Sequence, residues 1–292
     1  MAANGTHHVN VFTLDGRGGN PCPIALDATE LSNAEMQAIA RRYGHESSFV
    51  LPAPNADYDH RFRFWVPNHE MEMCGHATIG SIWLLAQLGH ITAGEVRVAT
   101  LSGPVTGYIA RGSNGLPDVE ITQPAGRVLS LDREAEAGVL RVLKLSRADL
   151  LDLPIQNAVT SRVKTLIPLR DPDRLHALAS DMPAVEAVCS AIGSTGLYPF
   201  APLEPAARTF EARQFPRASG YPEDAATGVA AAALAFGLLR NGQIAPDARP
   251  IRIYQGRAMG RLSEIRVRLG FAGERAVGCL LGGAVTPGTV AG

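Results

Sequence analysis

Two short, nearly duplicate stretches constrain this chain more than any other feature. Cys74-Gly75-His76-Ala77-Thr78 opens one apolar run, and Ala225-Ala226-Thr227-Gly228-Val229 opens another. The runs they feed, Ile79 to Leu88 and Val229 to Leu239, are apolar nearly all round, the pattern of helices buried inside a layer of sheet. Each entrance begins with small residues whose backbone N–H groups can stay unbonded within the helix, so each is an anion site backed by a helix dipole. Two such entrances facing each other would clamp one small anionic molecule.

The rest of the sequence fits two similar halves. At 292 residues the chain exceeds most single domains, which hold roughly 100–200 residues. Its 27 basic and 28 acidic residues give a net charge of -1, which argues against nucleic acid or anionic lipid as a partner. The longest apolar stretch is too short for a bilayer, so no membrane segment is expected. Four cysteines without paired spacing, and no export signal at the start, read as a cytoplasmic, reducing setting.

The 30 Gly and 20 Pro favour many short strands. In the first half, Val9 to Leu14 alternates like a strand, and Gly18-Gly19-Asn20-Pro21 is expected to turn it into a second, Ile24 to Asp27. Ser32 with Glu35 forms a capping box for a helix that Gly44 stops. Ser47 to Leu51, His60 to Val66, Glu95 to Ala99, Val105 to Ala110 and Asp118 to Thr122 read as strands around the first apolar helix. The second half repeats the order. A helical connection runs from about Asp132 to Leu151, strands from Asn157 to Thr160 and Lys164 to Leu169, and a helix from Asp173 to Ser180. The strand Thr209 to Phe215 then leads to the second entrance, and a final hairpin joins Ile251 to Gln255 with Glu264 to Leu269. The class is α+β, divided at residues 1–126 and 127–292.

Several spaced motifs together resemble the PhzF-like phenazine-biosynthesis isomerase family: Gly19-Asn20-Pro21, His45-Glu46-Ser47, Gly75-His76, Gln123-Pro124, Glu223 to Gly228, Gln255-Gly256 and Gly260-Arg261. The resemblance covers almost the whole chain. It implies the diaminopimelate-epimerase-like fold: two pseudo-symmetric halves, each a mixed sheet rolled around a central apolar helix, with the active site in the cleft between them. It also implies a homodimer and a cofactor-free proton transfer, isomerising trans-2,3-dihydro-3-hydroxyanthranilate or an analogue. In that family the glutamate at the place of Glu46 takes a proton from carbon and returns it elsewhere on the ring, work that suits a partly desolvated carboxyl. Carried over residue by residue, His76 and Asp224 join Glu46 in catalysis, and Asn20, Gly75, Thr227, Gly228 and Val229 bind substrate. Read alone, Glu46 would be a solvated helix-end residue, His76 a core histidine and Asp224 a plain N-cap.

One position departs from the pattern. Where the phenazine enzyme has a serine after the Thr-Gly pair, this chain has Val229, which keeps only its backbone N–H. Losing a donor to a buried polar group costs about 1–3 kcal/mol, so an analogue substrate is a real alternative. Cys74 opens a second reading. Racemases of the same superfold pair two facing cysteines, but the place matching Cys74 is read as Ala225. A metal held by Glu70, Glu72, Cys74 and His76 is disfavoured at the positive end of a helix, and Gly16 to Gly19 lacks the features of a phosphate loop. The remaining alternative is a small-ligand binding protein that does no chemistry.

Overall fold

The computed structural model describes residues 5–92 and 94–288. They divide into two compact units: one holds the residues up to Thr122 and those from Gly282 on, the other Gln123–Leu281. The boundary lies four residues before the one read from sequence. The last strand, Ala284–Pro287, returns to the first unit, where it pairs with the N-terminal strand through Val9↔Pro287 and Val11↔Val285.

The first unit runs β1 (Thr6–Leu14), β2 (Arg17–Ala25), α1 (Asn33–Tyr43), β3 (Ser47–Pro52), β4 (His60–Trp65), β5 (Glu70–Met71), α2 (Gly75–Gln87), β6 (Gly94–Thr100), β7 (Gly103–Arg111) and β8 (Pro117–Pro124). The second runs β9 (Arg127–Ser130), α3 (Arg133–Val142), β10 (Gln156–Val159), β11 (Val163–Pro168), α4 (Pro172–His176), α5 (Met182–Ala191), β12 (Gly196–Glu204), β13 (Thr209–Ala212), β14 (Phe215–Pro216), α6 (Gly228–Arg240), β15 (Ile251–Gln255), β16 (Ser263–Ala272) and β17 (Arg275–Gly282).

The pairing pattern is repeated. In the first unit β1 is antiparallel to β2, β2 parallel to β3, β3 antiparallel to β4, β4 parallel to β6 and β6 antiparallel to β7. In the second, β10, β11, β12, β13, β15 and β16 follow the same sequence of orientations. A parallel neighbour needs a long crossover, and in both units an apolar helix supplies the second one, α2 between β4 and β6 and α6 between β13 and β15. Every residue of α2 from Gly75 to Leu85 is buried, as are Ala230 to Leu238 of α6. Such helices must be surrounded, and the sheet does it: α2 packs on β1, β2, β3 and β7, and α6 on β9, β10, β11 and β16. Close approach explains Gly80, where an added Cβ would stand 2.9 Å from Val9 Cγ2. Outer helices cover the other faces. Met36 and Ala40 of α1 meet Phe49 and Trp65, and α3 to α5 bury Val139, Leu175 and Val185 against Ile167 and Leu197.

Several local expectations change. Gly18-Gly19-Asn20-Pro21 is not the turn: Asp15 and Gly16 (φ 50° and 75°) make it, and β2 already starts at Arg17. The expected helix from Asp173 to Ser180 ends at His176, and α5 follows after a break; Asp171 and Asp181 each cap a helix whose first turn carries a proline. Strands β9, β12, β14, β17 and the returning last strand have no counterpart in the sequence reading; β12 carries no alternation because Gly196 to Ala201 are all buried. The α1 capping box forms as expected, with Ser32 N–H donating to Glu35 Oε2 at 2.8 Å and Gly44 (φ 67°) closing the helix.

Candidate active site

In the first unit Glu46, Cys74 and His76 come together. Glu46 lies between Gly44, whose N–H already closes α1 on the Ala40 carbonyl, and the start of β3, so it is not needed as a helix cap. Cys74 is the N-cap residue of α2, but its side chain makes no capping hydrogen bond. Its sulfur instead lies 3.3 Å from His76 Nδ1, while His76 Nε2 lies 3.6 Å from Glu46 Oε2. The second distance is that of an ion pair rather than a direct hydrogen bond. His76 and Cys74 are buried, whereas the Glu46 side chain keeps 20 % of its surface open. The carboxylate is therefore the member of the group that a small molecule can reach.

Hydrogen bonds tie the local framework together. The hydroxyls of Ser48 on β3 and Ser81 on α2 lie 2.7 Å apart, tying the strand that follows Glu46 to the helix that carries His76. Thr78 donates its hydroxyl to the Cys74 carbonyl at 2.8 Å, closing the first turn. Cys22 on β2 senses this group: burial first, and then the negative charge of Glu46, push its thiol well above its ordinary value. Cys22 is thus a neutral, fully buried neighbour of the group. Asn20 shares its face of β2 and is also buried. It pairs with Val11 beside Phe12, a fully buried aromatic at φ 69°, a conformation that costs free energy and tends to occur where a site demands it.

The cluster does not read as a chelate. Three donor atoms of Glu46, Cys74 and His76 lie within 4.8 Å of one another, but the ring turns a different nitrogen to each partner, where one ion would need all donors to converge. Glu70 is occupied by a bidentate pair with Arg63 at 2.6 and 2.7 Å, and the alternation through Glu72 ends where α2 begins. Likewise Gly16 to Gly19 opens a strand, not a helix.

The second unit builds its own entrance. Helix α6 begins at Gly228 behind the cap residue Thr227, whose side chain also makes no capping bond. Counted from the caps, the position matching Cys74 is Thr227 and the one matching His76 is Val229; Ala225, the match read from sequence, lies two residues ahead of the cap. Either way this entrance presents no thiol. The Thr227 hydroxyl donates to Asp224 Oδ2 at 2.5 Å, so Asp224 is not a plain N-cap on the helix backbone. The strap before it is held by Arg213, whose guanidinium pairs with both oxygens of Glu223 at 2.8 and 2.6 Å. The same guanidinium donates to the carbonyls of Leu175, His176 and Leu178. Val229 is half-buried and Gly228 buried at the first turn. In both entrances the cap side chain leaves the first-turn N–H groups to other acceptors, the property on which anion binding rests.

Sequence reasoning missed Arg213, Tyr198 and the Ser48–Ser81 link. For Arg213 the available signal was an arginine set between Phe210, Ala212 and Phe215, where a buried charge needs a partner; it lies between β13 and β14 rather than within one strand.

A repeated sheet wrapped on a buried helix, with a carboxylate and an imidazole at one entrance and a carboxylate at the other, is the arrangement that the resemblance to the isomerase family implies. Comparison with known proteins agrees. Residues 9–287 match the family model described as phenazine biosynthesis-like protein. An uncharacterized isomerase, YddE, of Escherichia coli O157:H7 is 34 % identical over 274 residues, covering 89 % of this chain and 88 % of its own. The trans-2,3-dihydro-3-hydroxyanthranilate isomerase of Pseudomonas fluorescens is 32 % identical over 256 residues, covering 87 % and 86 %. Among solved structures, the PhzF-family phenazine biosynthesis protein of Bacillus anthracis superposes with a TM-score of 0.86 at 24 % identity, covering 97 % and 96 %. The chain belongs to the phenazine biosynthesis-like family and is an isomerase.

Proposed function

We propose that the protein moves a proton between carbons of a small, carboxylate-bearing ring, trans-2,3-dihydro-3-hydroxyanthranilate or an analogue, without a cofactor. The observation that carries this reading is the accessible Glu46 carboxylate beside the buried His76 at a helix entrance. Glu46 takes the proton from one carbon and returns it to another, so that one group serves as base and then as acid and the transfer balances internally. His76 orients Glu46, Asp224 accepts from a polar substituent of the ring, and the N–H groups at Gly75 and Gly228 hold the substrate carboxylate. Asn20 and Thr227 complete the polar lining, while Val229 contributes its backbone N–H alone. That replacement favours an analogue lacking one acceptor over the phenazine precursor itself.

The test is incubation with trans-2,3-dihydro-3-hydroxyanthranilate in deuterated buffer, followed by NMR of the ring. Deuterium appearing at carbon with conversion to the isomer supports the reading in full. Exchange without conversion supports the proton chemistry and assigns the enzyme to an analogue. The absence of both exchange and conversion contradicts the ring-substrate assignment. The proposal includes a homodimer in the cytoplasm; sedimentation giving a concentration-independent monomer contradicts the first part.

A second reading has its own observation, the contact of Cys74 sulfur with His76 Nδ1. A thiol so placed can exchange a proton with the imidazole and act as the base of a one-thiol epimerase. The absence of a cysteine anywhere in the Glu223 to Val229 stretch leaves that mechanism without its acid.

A further inference from the structure

The Gln255-Gly256 pair has no part in the chemistry above, yet the Gln255 side-chain amide makes four hydrogen bonds in the second unit. Gln255 is fully buried at the end of β15. Its Nε2 donates to the Asp224 carbonyl at 2.7 Å and to Thr227 Oγ1 at 3.0 Å. Its Oε1 accepts from the Tyr198 hydroxyl at 3.0 Å and from the Thr227 backbone N–H at 3.3 Å. The partners dictate the orientation of the amide, because a carbonyl can only accept and a backbone N–H can only donate.

Two consequences follow. Thr227 Oγ1 accepts from Gln255, so its single proton is left for Asp224 Oδ2, the contact observed at 2.5 Å. The Asp224 carbonyl is bonded to Gln255 rather than to the N–H of Gly228 four residues on, so the strap stays extended and α6 cannot start earlier. Gly256 lets this happen: it sits at φ 88°, and an added Cβ would meet the Ala225 carbonyl at 2.8 Å. On the far side Tyr198 is buried, and burial and the Asp224 charge both raise its phenol, which remains a donor to Gln255.

We infer that Gln255 is a positioning residue, which locks the Asp224 carboxylate, the Thr227 hydroxyl and the first turn of α6 into one arrangement. The inference rests on the assignment of Asp224 to the substrate made above. The test pairs crystal structures with kinetics on trans-2,3-dihydro-3-hydroxyanthranilate for wild type, Gln255→Leu, Gln255→Glu and Asp224→Asn. In Gln255→Leu the Asp224 carboxylate is expected to move by about 1 Å, with a loss of about a hundredfold in kcat and KM little changed. Gln255→Glu keeps the volume. Once protonated, the new side chain restores one of the two donors and the acceptor, so its turnover relative to wild type is expected to recover in part as pH falls. A carboxylate that superposes in wild type and Gln255→Leu overturns the inference whatever the activity, as does a pH-independent loss in Gln255→Glu. Wild-type turnover in Asp224→Asn would instead overturn the role of Asp224, while the crystallographic displacement still decides that of Gln255.

Discussion

His76 Nε2 stands 3.6 Å from Glu46 Oε2, with the ring buried and the carboxylate partly open. The ring's other nitrogen faces Cys74 sulfur at 3.3 Å. An imidazole between a thiol and a carboxylate can serve either side, and the difference in exposure decides which one meets the substrate. Removal of the thiol is therefore expected to be mild. Cys74→Ala should retain turnover within about tenfold of wild type, less than the roughly 10²–10⁴-fold expected for loss of a general acid or base. Steady-state kinetics with the ring substrate check this, and a loss as large as that of a catalytic base would favour the thiol mechanism.

The Arg213–Glu223 pair is expected to matter for stability. Both side chains are nearly buried, at 8 and 9 % exposure. Arg213→Met leaves Glu223 as an uncompensated charge, a loss of about 3–5 kcal/mol. Urea unfolding measures it, and the double variant Arg213→Met/Glu223→Met should recover the part due to the unpaired Glu223 charge, while the Leu175, His176 and Leu178 carbonyls remain without their donor. A single variant as stable as wild type would show that the strap before Asp224 is not held by this pair.

Packing around α2 offers an independent check. A Cβ on Gly107 would stand 2.6 Å from Ile82 Cδ1 and 2.9 Å from Val96 Cγ1. Gly107→Ala is expected to cost about 1–3 kcal/mol through overpacking, read as a lower urea midpoint at unchanged slope.

Alkaline pH should weaken the fold through the buried thiols. Burial lifts Cys189 from 9.0 to about 11 and Cys279 from 9.0 to about 12. The native state thus keeps protons that the unfolded chain releases near its ordinary value. The corresponding stability is fully present below about pH 9 and falls as pH rises toward 11 and 12. Urea midpoints should decline across that window, and the decline should be shallower in Cys279→Ala. An identical pH slope in that variant would contradict the assignment.

Much of this architecture was legible because the strongest signals are local. Ser32, Glu35 and Gly44 bound a helix by their own chemistry, and the two apolar runs could only be buried helices. What escaped depends on distant partners. Strand β12 is buried on both faces and carries no alternation, while the last strand is recruited to the first unit by pairing with β1 across more than 270 residues. The site divided in the same way. Short motifs pointed to Glu46, His76 and Asp224 as candidates, but Gln255 was seen only as part of a motif, since its bonds to Tyr198, Asp224 and Thr227 are made across long sequence separations.

The central claim is that Glu46 itself carries the proton. The most direct measurement is solvent deuterium incorporation into trans-2,3-dihydro-3-hydroxyanthranilate by Glu46→Gln, a near-isosteric change that removes the titrating group. Incorporation is expected to fall by about 10²–10⁴-fold, with an unfolding midpoint close to wild type because glutamine keeps the size of the side chain at a partly exposed position. Incorporation at the wild-type rate in a folded Glu46→Gln protein would contradict the account.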